Sequence, residues 1–256
     1  MKFLHILLLL LFYCPPLQAQ TPPLFFSDGF ENGLGGWDEV CDGLVTTADA
    51  HSGNSSLRLA FRDFSVQYAV HRVRAEEQPT GSFVFEFHVK LVRFTMGAVT
   101  IAALVFPTGS VAVVVSRDGR VGLAFDLFEP PTYGMLRLRM GEWQKIQIHM
   151  DYENERIRLY LNDELALEEG LRGRRPPLLE LWLGTIWLGG AGNYGMMMEC
   201  YFDDVLLGDE SLVTPKPAIT AILTTIAIPL VCIAAAITAL VLIAKHRRIR
   251  RSAQVH

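Results

Sequence analysis

The sequence predicts an all-β fold, an antiparallel β-sandwich, followed by one C-terminal transmembrane helix. Three observations carry this. Between Leu24 and Gly208 apolar and polar residues alternate with a period of two over many short runs, and helical periodicity is nearly absent. Turn-forming pairs separate those runs. From Ala218 to Ala244 no side chain is charged, and Lys245, His246, Arg247, Arg248, Arg250 and Arg251 then follow almost without a break. An apolar run of that length crosses a hydrocarbon core roughly 30 Å thick as a helix, and the basic cluster beyond it stays cytoplasmic.

Taken in chain order, residues 1–19 read as a signal peptide. Lys2 precedes an apolar stretch from Phe3 to Tyr13, Pro15 and Pro16 break it, and Leu17-Gln18-Ala19 supplies a small residue before the cut. An apolar part of about 11 residues is too short to span a bilayer, although an uncleaved anchor is the alternative. Tyr13 before Cys14 is too bulky for a lipoprotein site.

The sandwich is expected over residues 24–210. In Phe83 to Leu91 every odd position is apolar, and Glu86, His88 and Lys90 fall on the other face. Along Trp143 to Asp151, Ile146, Ile148 and Met150 point inward and Lys145, Gln147 and His149 outward. Ile157, Leu159 and Leu161 continue the pattern against Arg156, Arg158 and Tyr160. Such alternation marks half-buried strands of an antiparallel sheet. Asp118-Gly119, between Val111–Val115 and Val121–Phe125, predicts a hairpin with a type I′ turn, and Asn154-Glu155 and Asn162-Asp163 mark two more tight turns. Many short strands without intervening helices imply a sandwich or barrel.

After the sandwich, residues 211–217 form a short stalk stiffened by Pro215 and Pro217, 218–244 the membrane helix, and 245–256 a basic cytoplasmic tail. The chain is thus expected to be a single-pass type I protein of the cell membrane with its N-terminal domain outside. Seventeen of the 23 Lys and Arg, but all 27 Asp and Glu, lie between Thr21 and Lys216. That acidic balance argues against a nucleic-acid partner. Cys41 and Cys200 are the two cysteines of the exported part, and an oxidising location favours a disulfide between them. It would close a loop of about 160 residues, worth roughly 3–5 kcal/mol; two free buried thiols are the alternative. Asn54-Ser55-Ser56 is the one glycosylation sequon there, used only in a host that glycosylates exported proteins.

Several segments resemble one superfamily. Phe26 to Leu34 followed by Trp37 resembles the opening of exported jelly-roll domains, and His51 to Leu59 their second strand entry. Gly141 to Asn162 is similar to the paired central strands of laminin-G-like modules, and Tyr201-Phe202-Asp203-Asp204-Val205 to their closing strand. The resemblance is to the concanavalin A-like lectin and glucanase superfamily, and it departs at Asn162-Asp163, where the family has Asn-Gly. It implies that the start of the domain lies beside its closing strand, bringing Asp28 and Glu31 near Asp203 and Asp204. Converging carboxylates repel unless a cation neutralises them, so a structural calcium ion is expected there, against solvated turn residues as the plain reading.

Aromatic residues suggest a glycan surface, because sugar rings stack on aromatic faces. Tyr133 and Tyr194 are expected to be exposed, beside Pro130-Pro131 and Gly189-Gly190-Ala191-Gly192. Trp37, Trp182 and Trp187 are weaker candidates, and Trp143 is expected in the core. Glu86 and His88, with Lys90 and His149, form the one polar constellation, lining a groove or simply a solvated face. Catalysis has little support. No run of closely spaced carboxylates suits a glycosidase, no Gly-x-Ser-x-Gly elbow occurs, and the glycines from 189 to 195 lack the Lys of a phosphate loop. The function expected is binding, of a carbohydrate or a cell-surface protein, without chemistry of its own. A divergent glycan hydrolase or lyase, or a structural surface protein, is the alternative.

Overall fold

The computed structural model describes residues 23–62, 67–95, 97–126, 129–185 and 197–212. The expected signal peptide, membrane helix and tail, and residues 213–217 of the stalk, lie outside these residues. No helix within them is long and apolar enough to cross a membrane. The sandwich belongs to a unit that ends at Glu210.

The described residues form two antiparallel sheets. The first has eight strands, in the order β13 (Glu164–Gly170), β12 (Arg156–Leu161), β11 (Trp143–Asp151), β6 (Phe83–Phe94), β15 (Met197–Asp209), β4 (Ser56–Arg62) and β3 (Leu44–Thr46), with β1 (Leu24–Asp28) also paired to β15. The second has seven, in the order β10 (Thr132–Arg137), β9 (Arg120–Phe125), β8 (Gly109–Val115), β7 (Val99–Phe106), β14 (Glu180–Gly184), β5 (Tyr68–Arg72) and β2 (Glu39–Cys41).

The alternation in the sequence sets the first sheet. Phe83, Phe85, Phe87, Val89 and Leu91 of β6 are all buried in the core between the sheets, as are Ile146, Ile148 and Met150 of β11. The rings of Phe85 and Phe87 lie 5.3 Å apart, and those of Phe87 and Phe202 on β15 lie 5.9 Å apart. The outer face of β11 is less solvated than its polar residues suggest. Gln147 and His149 are buried there, Gln147 donating to Glu86 and His149 packing 4.6 Å from the Tyr160 ring.

The seven-stranded sheet is apolar on both faces. Its inner residues join the main core, while Ala103, Ala112, Val114 and Ala124 form a second cluster with Tyr133 and Trp182 packed against it. Tyr133, expected to be exposed, therefore sits half-buried on β10, with the Arg120 guanidinium 5.5 Å from its ring.

One turn differs from expectation, and another is as expected. Gly119 has φ +83°, but Asp118 stays at negative φ, so the β8–β9 connection is not type I′. It is a longer loop closed by hydrogen bonds from Ser116 N to Arg120 O and Gly119 N to Ser116 O. The two-residue turn with both residues left-handed is Asn162-Asp163, at φ 51° and 67°, between paired Leu161 and Glu164. Asn and Asp tolerate that region, and a type I′ turn follows the twist of the strands it joins.

The disulfide is a correction. Cys41 on β2 and Cys200 on β15 belong to different sheets, and both are free thiols. Cys200 points into the core, where burial pushes its thiol far above the ordinary range and it packs as a small apolar residue.

His149 makes stability depend on pH. Burial, with the Arg158 charge adding to it, pushes the imidazole down to about 4 from 6.5. Below about pH 6.5 the unfolded chain takes up a proton that the folded chain refuses. The His149 contribution is therefore complete above that pH and is lost as pH falls toward 4, at up to about 1.4 kcal/mol per pH unit. Urea unfolding at pH 7, 6 and 5 should show this decline, and it should be shallower in His149→Gln. Equal slopes in the two proteins would remove His149 as its source.

Candidate functional site

The outer face of the eight-stranded sheet carries an open groove of about 340 Å³. Its floor comes from β6 and β11, where the alternation that buries the phenylalanines turns Glu86 and His88 outward. In the register of the two strands His88 faces Lys145 and Glu86 faces Gln147. One wall is Trp143, on the same face of β11 as Lys145. A second wall is the β12–β13 turn, where Asn162 accepts a hydrogen bond from the Lys145 backbone and Asp163 pairs with Lys145 Nζ at 2.6 Å. The third is the β3–β4 loop, which delivers His51.

Trp143 is a correction. It does not fill the core. Its indole Nε1 donates to Asp49 Oδ1 at 2.9 Å, and its ring stands edge-on to His51, 5.8 Å away. Parity along β11 carried this signal, because position 143 shares its face with Lys145, Gln147 and His149. Among the described residues, Trp37 is the tryptophan buried in the core, stacked on Phe30.

Asp49 ties the loop to the sheet. Burial raises its carboxyl, but the bonds from Lys90 Nζ (2.5 Å) and Trp143 outweigh burial and hold it below its ordinary value. His51 is fixed at both ends: its backbone N–H donates to Asp203 Oδ2 at 2.8 Å, and its ring Nδ1 to Asp204 Oδ2 at 2.6 Å. The imidazoles of His51 and His88 stack 3.6 Å apart at 14°. Burial, followed by the neighbouring His51, pushes His88 down to about 4, so it is neutral at pH 7.

The expected calcium set is distributed as follows. The pairing of β1 with β15 does put the opening of the domain beside its closing strand, with Asp28 opposite Val205. The four carboxylates, however, are each met by protein donors. Asp28 takes Phe30 N and the Trp37 indole. Glu31 takes the backbone N–H of Asn54 and Ser55, fastening the loop that exposes the sequon. Asp203 takes His51 N, Ser52 N and Asp204 N, yet burial holds it above its ordinary value. Asp204 takes His51 and Ser52 Oγ; burial raises it, and these bonds bring it below. No three of the four offer oxygens within 4.8 Å of one another. Trp187 and Tyr194 lie outside the described residues.

No protein-family model matches the chain, and a search of curated proteins gives no match. Solved structures do share the fold. The cellulose-induced protein Cip1 superposes with a TM-score of 0.54 at 16% identity, over 71% of this chain and 96% of that one. A sialidase gives 0.53 at 10% identity, over 72% of this chain and 18% of that one. The binding domain of botulinum neurotoxin serotype G gives 0.51 at 11% identity, over 72% and 47%. The chain spans nearly all of the first and less than half of the other two. At these identities the likeness shows the sandwich and nothing finer.

Asp28 has a structural role that can be measured. It satisfies the buried Trp37 indole N–H and the Phe30 amide together, so Asp28→Ala should cost about 1–3 kcal/mol. Urea unfolding would register this, and an unchanged midpoint and slope would contradict the assignment.

Proposed function

We propose that this chain is a carbohydrate-binding module of the concanavalin A-like kind, displayed outside the cell on its C-terminal span, and that the groove over β6 and β11 is its binding surface. The observation that carries the reading is Trp143. An indole whose polar edge is held by Asp49 presents ring surface beside Lys145, Asn162, Asp163 and Glu86. Sugars ask for that combination: an apolar ring face to stack on, and donors and acceptors of both signs around it. The solved structures support the sandwich scaffold on which the groove is built. A cell-surface protein is the other partner class, and its polar contacts would have to cover the same indole.

Glu86 and Asp163 line one groove, and this is what favours glycan cleavage as the second reading. The same experiment separates the two. A broad glycan array probed with the protein should give selective binding that Trp143→Ala weakens at least ~10-fold, and the bound glycan should be recovered intact. Shortened or unsaturated product would favour the enzyme, and no selective binding across the array would count against both. Display outside the cell has its own test: protease added to intact cells should remove the sandwich and leave a short C-terminal fragment with the membranes. Protection of the sandwich would reject that topology.

A further inference from the structure

At the edge of the groove lies a second arrangement that sugar binding does not call for. His51, His88 and Asp204 come from the β3–β4 loop, β6 and β15, and their potential ligand atoms all lie within 4.8 Å of one another. They are the one such group of three among the described residues. His51 Nδ1 is 2.6 Å and His88 Nδ1 is 3.8 Å from the same Asp204 oxygen. His88 Nδ1 is buried and has no hydrogen-bond partner among the described residues. A buried polar atom left unpaired needs an explanation, and an ion in this position supplies one.

We propose that His51, His88 and Asp204 bind a divalent transition-metal ion of the zinc class. Two imidazoles and one carboxylate are a borderline-soft set that suits zinc, copper or nickel, whereas calcium takes oxygen donors. Tetrahedral zinc with arms of about 2.1 Å spaces its donor atoms about 3.4 Å apart, and because an imidazole binds in its ring plane, the two stacked rings tilt out of their parallel alignment to share the ion. The ion takes the place of the hydrogen bond between His51 Nδ1 and Asp204.

The supports are already in place. Ser52 Oγ donates to the other Asp204 oxygen at 2.5 Å, and Asp203 holds the His51 backbone. Asp204 itself stands at φ 47°, at the irregularity of the β15–β6 register between Asp203 and Leu206, which turns its carboxylate toward the two rings. Three protein ligands leave a fourth position, and His51 and His88 both border the groove. That position takes water or an oxygen of whatever occupies the groove. Lys145 does not compete for the carboxylate of the site, because its charge is engaged by Asp163.

The inference does not depend on the glycan reading, since metal binding is measured with the groove empty and either can fail alone. The test is titration of the untagged, chelator-stripped full chain with zinc chloride, followed by calorimetry. One zinc per chain is expected, and His51→Ala and Asp204→Asn should each weaken it at least ~10-fold. His51 is partly exposed, so its replacement spares the core, and His149→Gln serves as the control that leaves zinc affinity unchanged. Absence of stoichiometric zinc binding would overturn the proposal. So would an affinity indifferent to His51→Ala, or calcium binding in preference to zinc at Asp204.

Discussion

Strand β6 is the member on which both the core and the site depend. It is hydrogen-bonded on one side to β11 and on the other to β15, so its register is fixed twice. With a side-chain period of two, that register decides every residue's face at once. Phe83, Phe85 and Phe87 go inward, and Glu86 and His88 therefore go outward. A slip of one residue would place charge in the core and phenylalanine in the groove. The hydrophobic energy of three buried phenylalanines thus holds the groove floor in position, although none of them lines the groove.

The walls are held by different forces. The β12–β13 turn is set by two left-handed residues, and that geometry brings Asn162 and Asp163 over Lys145. The β3–β4 loop has no ladder to hold it there. It is fastened by charge-assisted hydrogen bonds: Asp49 to Lys90 and Trp143, Asp203 to the His51 and Ser52 amides, Glu31 to the Asn54 and Ser55 amides. Such bonds are stronger than neutral ones and are directional. They explain why carboxylates cluster at this end of the sandwich: several serve as backbone fasteners. A rigid scaffold carrying polar loop residues is the usual way a sheet protein presents a site.

The free cysteines show the limit of arguing from compartment. An oxidising compartment would make a disulfide chemically available, but geometry decides whether it forms. Cys200 lies on the inward face of the eight-stranded sheet, packed with Phe202 and its neighbours, and Cys41 lies on the edge strand of the other sheet. The core is large enough that the fold does not need the cross-link, unlike much smaller secreted domains.

The sequence by itself determined the sandwich, the inward faces of β6, β11 and β12, and the tight turns at Asn154 and Asn162, because these follow from local alternation and local backbone preference. It also placed Glu86 and His88 on one outer face. Parity along β11 even held the position of Trp143, which its size alone misdirected to the core. Only the tertiary structure decided that His51 and Asp204, about 150 positions apart, meet at His88, and that Asp28 serves the Trp37 indole. The first contact joins a loop and a strand remote in sequence and depends on register and on the bulge at Asp204, and the second depends on how the chain turns between Asp28 and Trp37, none of which a one-dimensional pattern records.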